Sequence, residues 1–131
     1  MNTYIACSAI LVIVYFLLAF NVTFTRVKTN IGIGSGSDLS GPLNKAVRAH
    51  GNAAEYIPIF LILFIYLNSV DAASWVKWVV IAVTVSRLLH PIGMLMSSDL
   101  TKPHPLRALG SIGTYIGGLA LGIALAMHAA T

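Results

Sequence analysis

The sequence predicts an all-α integral membrane protein, a bundle of four transmembrane helices. Of its 131 residues, 57% are hydrophobic and 9% are charged, whereas soluble domains carry about 25% charged residues. The apolar residues form four blocks, and each is close to the roughly 20 residues that cross a bilayer as a helix. These blocks fill the chain, so we expect a single membrane domain over residues 1–131 and no separate soluble domain.

The first predicted span covers residues 4–25 and meets its first charge at Arg26. Arg26 and Lys28 then close it, as cations close a helix at the cytoplasmic interface. Residues 30–42 are rich in Gly and Ser and predict a flexible connector, because no Gly-Lys-Ser/Thr completes a phosphate-binding loop. Pro42 suits the first turn of the next helix.

The second predicted span, residues 45–70, contains the polar stretch Arg48-Ala-His-Gly-Asn-Ala-Ala-Glu55. The uncharged run after Glu55 would rise only about 22 Å, short of the roughly 30 Å membrane core, so the span must include this stretch. Arg48, Asn52 and Glu55 share one helix face, and His50 falls on the opposite side. Ionisable groups at this depth favour a functional site. The alternative is a structural Arg48–Glu55 pair at the interfacial end of the helix.

The third and fourth predicted spans add further polar groups. Residues 75–97 carry Arg87 and His90 at i and i+3. After a loop of residues 98–105, the fourth span, residues 106–129, carries Arg107 near its start. Polar residues on several helices favour a shared polar site over side chains that are satisfied separately. The fourth span also has two GxxxG pairs, which allow close helix packing. These pairs are Gly113 with Gly117 and Gly118 with Gly122.

The distribution of cations predicts the orientation in the membrane. Loops one and three, with their flanks, hold six of the eight Lys and Arg residues, and neither terminus carries one. We therefore expect both termini outside and loops one and three in the cytoplasm. The net charge of +4 is explained by this topology. No basic stripe is interleaved with aromatics, so nucleic acid is not a predicted partner.

The polar groups suit an anionic ligand that brings its own nucleophile. Guanidinium groups bind carboxylates bidentately, while Asn and Glu can bind amide and ammonium groups. A cation beside a thiol favours the thiolate. The chain's one cysteine, Cys7, is interpreted as a small hydrophobe. No Ser-His-Asp grouping and no metal motif such as HExxH is present, so a cosubstrate nucleophile fits best.

The polar stretch of the second span carries a resemblance to a known family. Arg48-Ala-His50-x-Asn52-x-x-Glu55, followed by Pro58, resembles the signature of the MAPEG family, the membrane-associated proteins in eicosanoid and glutathione metabolism. Further landmarks extend the resemblance over nearly the whole chain. They are Arg26-x-Lys28, Arg87-x-x-His90 and Pro105-x-Arg107.

The resemblance implies a homotrimer with glutathione as cosubstrate, bound between neighbouring subunits near the cytoplasmic face. It implies a glutathione transferase or glutathione-dependent peroxidase that acts on small lipophilic substrates within membrane lipid. Arg107 is the implied catalytic residue and would stabilise the thiolate. The implied glutathione-binding residues are Arg26, Arg48, Asn52, Glu55, Arg87 and His90.

Departures from the family pattern favour an alternative. Gly51 stands where well-studied family enzymes often have a basic residue, and Met94 and Ser111 stand where they have tyrosines. These positions favour a non-catalytic lipid-binding or scaffolding protein of the same fold. A small transporter is a third hypothesis, and the absence of a carboxylate from the first span disfavours it. The absence of a targeting segment favours the inner membrane of a bacterium.

Overall fold

The structure, a computed structural model, describes residues 2–70 and 72–130. Four long helices make up most of this part of the chain, and each is long and apolar enough to cross a membrane. No strand occurs within the described ranges. The predicted four-helix membrane fold is therefore confirmed. The helices are α1 (Thr3–Thr29), α2 (Pro42–Ser69), α3 (Ser74–Met96) and α4 (Pro105–Ala129).

Local sequence signals set the ends of α1. The Asn2 side chain accepts hydrogen bonds from the backbone nitrogens of Tyr4 and Ile5, at 3.0 and 3.3 Å. Asn30 ends the helix in the left-handed conformation, with φ of 55°. The helix runs beyond the predicted end at residue 25, so Arg26 and Lys28 lie in its last turn. Cations are favourable there because the carbonyl end of a helix carries partial negative charge.

Helix α2 begins with Pro42, which the sequence predicts in the first turn. The helix therefore starts three residues before position 45, where the predicted membrane span begins. Proline is tolerated in the first turn because the backbone N–H that it lacks has no partner within the helix. The earlier start adds nearly a full turn before Arg48. The whole polar stretch of the second span is therefore helical.

Glycines give α3 and α4 their close contact. A Cβ atom added to Gly110 would lie 2.6 Å from the backbone nitrogen of His90, well inside van der Waals contact. A Cβ at Gly93 would overlap the backbone nitrogen of Arg107. Gly113 and Gly117 likewise contact Ser86 and Val83 of α3. We call these four positions, Gly93, Gly110, Gly113 and Gly117, the glycine seam.

The apolar core fills the interior of the bundle. Its fully buried side chains come mainly from α2 and α3, and large apolar side chains on the outer faces stay exposed. Such outer faces suit lipid or a second protein copy. The core includes Leu11, Ala53, Ile57, Phe64, Val80 and Val83.

Candidate functional site

Arg87 is the centre of a polar cluster inside the bundle. It is the largest fully buried side chain among the described residues, with 1% of its surface exposed. Its Nη2 donates to Oδ1 of Asn52 at 2.7 Å, and its Nη1 donates to Oγ1 of Thr114 at 3.2 Å. The guanidinium carbon lies 5.2 Å from the centre of the Tyr56 ring, within cation–π range. Helices α2, α3 and α4 therefore meet at this side chain.

Arg87 forms no ion pair with any described residue, and the carboxylate of Glu55 acts on it only from a longer distance. Within the described residues the one ion pair joins Lys102 to Asp99, at 3.9 Å. The Nε of Arg87 is buried and has no hydrogen-bond partner in that same part of the chain. A buried charge without a counter-ion is costly. The cluster therefore favours an anion close to Arg87.

His90 lies one turn along α3 from Arg87 and is also buried. Its Nδ1 has no hydrogen-bond partner among residues 2–70 and 72–130. The backbone of His90 contacts Gly110, so the glycine seam fixes the position of His90 along the axis of α4. One turn further, Gly93 fixes the backbone of Arg107 in the same way. The seam thus sets the spacing of three predicted site residues along two helices.

The Arg107 side chain turns back over the loop that precedes its own helix. Its Nη1 donates to the carbonyl oxygen of Leu100 at 3.2 Å, and its Nη2 donates to that of Lys102 at 2.8 Å. Both acceptors are neutral backbone groups. Neither acceptor therefore compensates the charge of the half-buried Arg107, and its guanidinium has further N–H donors beyond these two.

The other predicted binding residues make no hydrogen bond or ion pair with this cluster within the described residues, although Glu55 lies close enough to act electrostatically on Arg87 and Tyr56. Arg26 donates to the carbonyl oxygens of Ile31 and Gly32, at 3.3 and 3.2 Å. Arg48 and Glu55 are exposed on α2. The structure thus joins Asn52 directly to Arg87, keeps His90 and Arg107 beside them along the seam, and leaves Arg26, Arg48 and Glu55 outside that contact.

His50, which the sequence places off the shared face, packs against α1. Its ring centre lies 5.1 Å from that of Tyr15. The Nε2 of His50 is buried without a hydrogen-bond partner in the described chain. This contact is consistent with the packing role that the sequence predicts.

An apolar cleft of about 420 Å³ opens between α2 and α4, directly beside the polar cluster. Tyr56 and Thr114 line the cleft and also contact Arg87. Tyr56 and Tyr115 face each other at its polar end, with ring centres 6.0 Å apart. Apolar side chains such as Phe60 and Leu119 form the remainder. An apolar molecule in the cleft would lie next to a buried cation.

Sequence reasoning missed Thr114 and Tyr56. Thr114 stands four residues after Gly110, about one helical turn further along α4. Helical periodicity could therefore have placed it on the same face as the seam. Tyr56 directly follows the polar stretch of α2, but no sequence pattern predicts that its ring lies against the guanidinium of Arg87. No group of three metal-ligating side chains comes together in the part of the chain that the structure describes.

Comparisons with known proteins identify the family of this chain. A family model described as the MAPEG family matches residues 4–127. The inner membrane protein YecN of Escherichia coli strain K12 is 32% identical over 91 residues, which is 69% of this chain and 66% of the relative. The same protein of Escherichia coli O6:H1 matches equally. The chain thus spans just under two thirds of the length of these curated relatives. Because the family model covers all four helices and every site residue described above, this chain belongs to the MAPEG family.

Proposed function

We propose that the protein is a membrane-bound, glutathione-dependent transferase or peroxidase that acts on lipophilic electrophiles. The observation that carries the proposal is the set of hydrogen-bond partners of two arginines, one on α3 and one on α4, the two most closely packed helices. Arg87 and Arg107 bond only to neutral groups in the described chain. Two unneutralised guanidinium groups suit a cosubstrate with carboxylates and an ionisable thiol. Family membership supports glutathione as that cosubstrate.

The predicted binding residues match the functional groups of glutathione. Its two carboxylates suit Arg26, Arg48 and Arg87, and its peptide amides suit Asn52. Glu55 suits its ammonium group. His90, buried with a free ring nitrogen, adds one further polar contact in this assignment.

A second copy of the chain would complete the site. Arg48 and Glu55 are exposed on a membrane helix in one protomer, and a charge that faces lipid is costly. Cover by a neighbouring subunit would remove that cost and bring these residues to the cosubstrate. We therefore propose a homotrimer with glutathione between subunits. The relatives' description as inner membrane proteins supports an inner-membrane location.

Arg107 is the proposed catalytic residue. A guanidinium close to the sulfur stabilises the thiolate and raises its concentration at neutral pH. In conjugation the sulfur bonds to an electrophilic carbon, and the thiol proton leaves with the displaced group or the adduct. With a hydroperoxide, the sulfur attacks oxygen and the O–O bond breaks. A second glutathione then completes the reduction and gives a disulfide, an alcohol and water.

The second candidate is a non-catalytic lipid-binding or scaffolding protein. Three positions favour it, because Gly51, Met94 and Ser111 supply neither the basic group nor the phenol hydroxyls expected of the family enzymes. Met94 is buried, and a Cβ at Gly51 would meet no atom within 4 Å. In this candidate the apolar cleft between α2 and α4 would hold a lipid chain.

Ultraviolet absorbance of bound thiolate separates the two candidates. The purified protein in detergent is titrated with glutathione, alongside Arg107→Ala and the charge-matched control Lys77→Ala, whose ammonium group lies over Trp78 near the start of α3. We expect a saturable thiolate signal in the wild type and in the control. Loss of the guanidinium should weaken that signal about tenfold or more. No wild-type signal at millimolar glutathione would reject the enzyme proposal and leave the lipid-binding candidate.

A further inference from the structure

Ser40 joins the α1–α2 loop to the α3–α4 loop through one hydroxyl group. Its Oγ donates to Oδ1 of Asp99 at 3.3 Å and accepts from the backbone nitrogen of Leu100 at 3.0 Å. These partners lie 59 and 60 residues away in sequence. Ser40 stands two residues before α2 begins. The end of the connector that the sequence predicts to be flexible is therefore hydrogen-bonded to the α3–α4 loop.

Asp99 organises the other half of this contact. Its Oδ1 accepts from the backbone nitrogen and the hydroxyl of Thr101, at 2.9 and 2.7 Å, in addition to Ser40. Its Oδ2 lies 3.9 Å from the Lys102 ammonium. One carboxylate thus shapes the turn that presents residues 100–102. We call the pair Ser40 and Asp99 the loop clasp.

Leu100 connects the loop clasp to the proposed catalytic residue. The N–H of Leu100 donates to Ser40, and the carbonyl oxygen of the same residue accepts from Arg107. The second acceptor of Arg107, the Lys102 carbonyl, belongs to the same turn, since the Lys102 nitrogen donates to the Asp99 carbonyl at 3.3 Å. Both anchors of the guanidinium are therefore held by the turn that the clasp fixes.

We propose that Ser40 and Asp99 are positioning residues, which aim the Arg107 guanidinium at the cosubstrate sulfur by fixing the carbonyls of Leu100 and Lys102. This inference rests on the proposed function. Gly93 fixes only the backbone of Arg107, and an arginine side chain has many rotamers. The two carbonyls select one direction among them. A guanidinium that is already aimed avoids the cost of ordering when the thiolate binds.

The clasp is built to persist at neutral pH. Hydrogen bonds from Thr101 and Ser40, with the charge of Lys102, hold the pKa of Asp99 below its ordinary value. The carboxylate form is thus favoured in the folded protein. The contribution of Asp99 is present at neutral pH and is lost only as the pH falls through this lowered pKa.

The ionisation of bound glutathione tests the role of Ser40. Thiolate absorbance is recorded against pH for the wild type and for Ser40→Ala, Ser40→Thr and Ser37→Ala. Ser37 lies in the same loop, is exposed, and makes no side-chain hydrogen bond within the described residues. The loss of one hydrogen bond changes an equilibrium by about threefold to tenfold. We expect Ser40→Ala to raise the apparent pKa of bound thiol by about half a unit to one unit. Ser40→Thr and Ser37→Ala should match the wild type.

A second variant tests the clasp from its other half, in the α3–α4 loop. Asp99→Ala removes the acceptor of Ser40 and the turn around Thr101, so it should raise the same apparent pKa. Combined with Ser40→Ala, it should add little further shift, because both changes break one structure. Hydrogen exchange at residues 98–104 provides a readout without glutathione, and Ser40→Ala should accelerate it.

The possible outcomes separate this inference from the proposed function. A wild-type protein that gives no thiolate signal rejects the proposed function, and the positioning role with it. A wild-type signal that Ser40→Ala and Asp99→Ala leave unchanged across pH rejects only the positioning role. Faster hydrogen exchange or lower thermal stability without a pKa shift also rejects it, because the clasp would then be purely structural. A shift that Ser40→Thr rescues supports it.

Discussion

Arg87 keeps its charge in the bundle by bonding to neutral partners on two other helices. An amide and a hydroxyl satisfy two of its donors without neutralising it. The choice of Asn52 rather than a carboxylate therefore has a consequence for binding. An aspartate would pair with Arg87 and compete with an anionic ligand, whereas Asn52 leaves the charge available.

Asn52→Asp tests that interpretation. The new carboxylate would lie within hydrogen-bond distance of Arg87, so we expect a higher unfolding temperature and about tenfold weaker glutathione binding. Calorimetric titration and thermal unfolding measure the two effects. Asn68→Asp is the matched control, because Asn68 lies at the far end of α2 and its Oδ1 accepts from Asn2 at 2.7 Å. Unchanged glutathione affinity in Asn52→Asp would contradict a role for the Arg87 charge.

Some of these residues could be predicted from sequence, and others could not. Asn52, Arg87 and His90 could be, because an ionisable or amide group inside an apolar helix is costly and therefore conspicuous. Ser40 and Asp99 could not be. Both lie in polar loops where such residues are common, and their contact depends on how two hairpins pack across about 60 residues of sequence.

The glycine seam operates at the level of the helix pair. It brings the α3 and α4 backbones so close that no methyl group fits at Gly110. Sequence reasoning predicted close packing from the two GxxxG pairs, and Gly113 with Gly117 does face α3. Gly118 instead faces Phe60 at an ordinary 3.6 Å, and a Cβ on Gly122 would meet nothing within 4 Å. The spacing of glycines predicts contact, while the rotation of the helix decides which glycines make it.

Gly110→Ala should therefore destabilise the protein, and Gly122→Ala should not. The added Cβ at position 110 would meet the His90 backbone, which cannot move without shifting α3, and such overpacking costs about 1–3 kcal/mol. At position 122 the same change removes a flexible residue from a helix and should be neutral or stabilising, by up to about 1 kcal/mol. Unfolding in detergent measures both free energies. Equal effects of the two variants would contradict the seam.

At the level of the whole molecule, the bilayer explains why the fold could be predicted so fully. Backbone groups in a membrane must be satisfied within the helix, so four apolar blocks leave few alternatives. The proposed complete site does not follow from one chain. Arg48 and Glu55 are exposed, and Arg26 bonds to its own loop. In the proposed trimer their contacts with a cosubstrate would depend on a neighbouring copy, whose packing a single sequence does not encode in any simple pattern.

The oligomeric state is the matching prediction. We expect native mass spectrometry of the protein in detergent to give a trimer, with glutathione retained only by the assembled form. Dilution that yields monomers should abolish thiolate absorbance in parallel. A monomer that still binds glutathione would show that the site is complete within one chain.

Helix α4 has two faces with different roles, one packed against α3 and one bordering the apolar cleft. Gly110 and Gly117 point into the seam, where side-chain volume is fixed by the facing backbone and side chains. Tyr115 and Leu119 lie on the opposite face, border the apolar cleft and are more than half exposed. Substitutions on this second face should alter which hydrophobic molecules are accepted without disturbing folding. In the proposed enzyme, the range of substrates could therefore diversify on one side of the helix while the other side keeps the architecture constant.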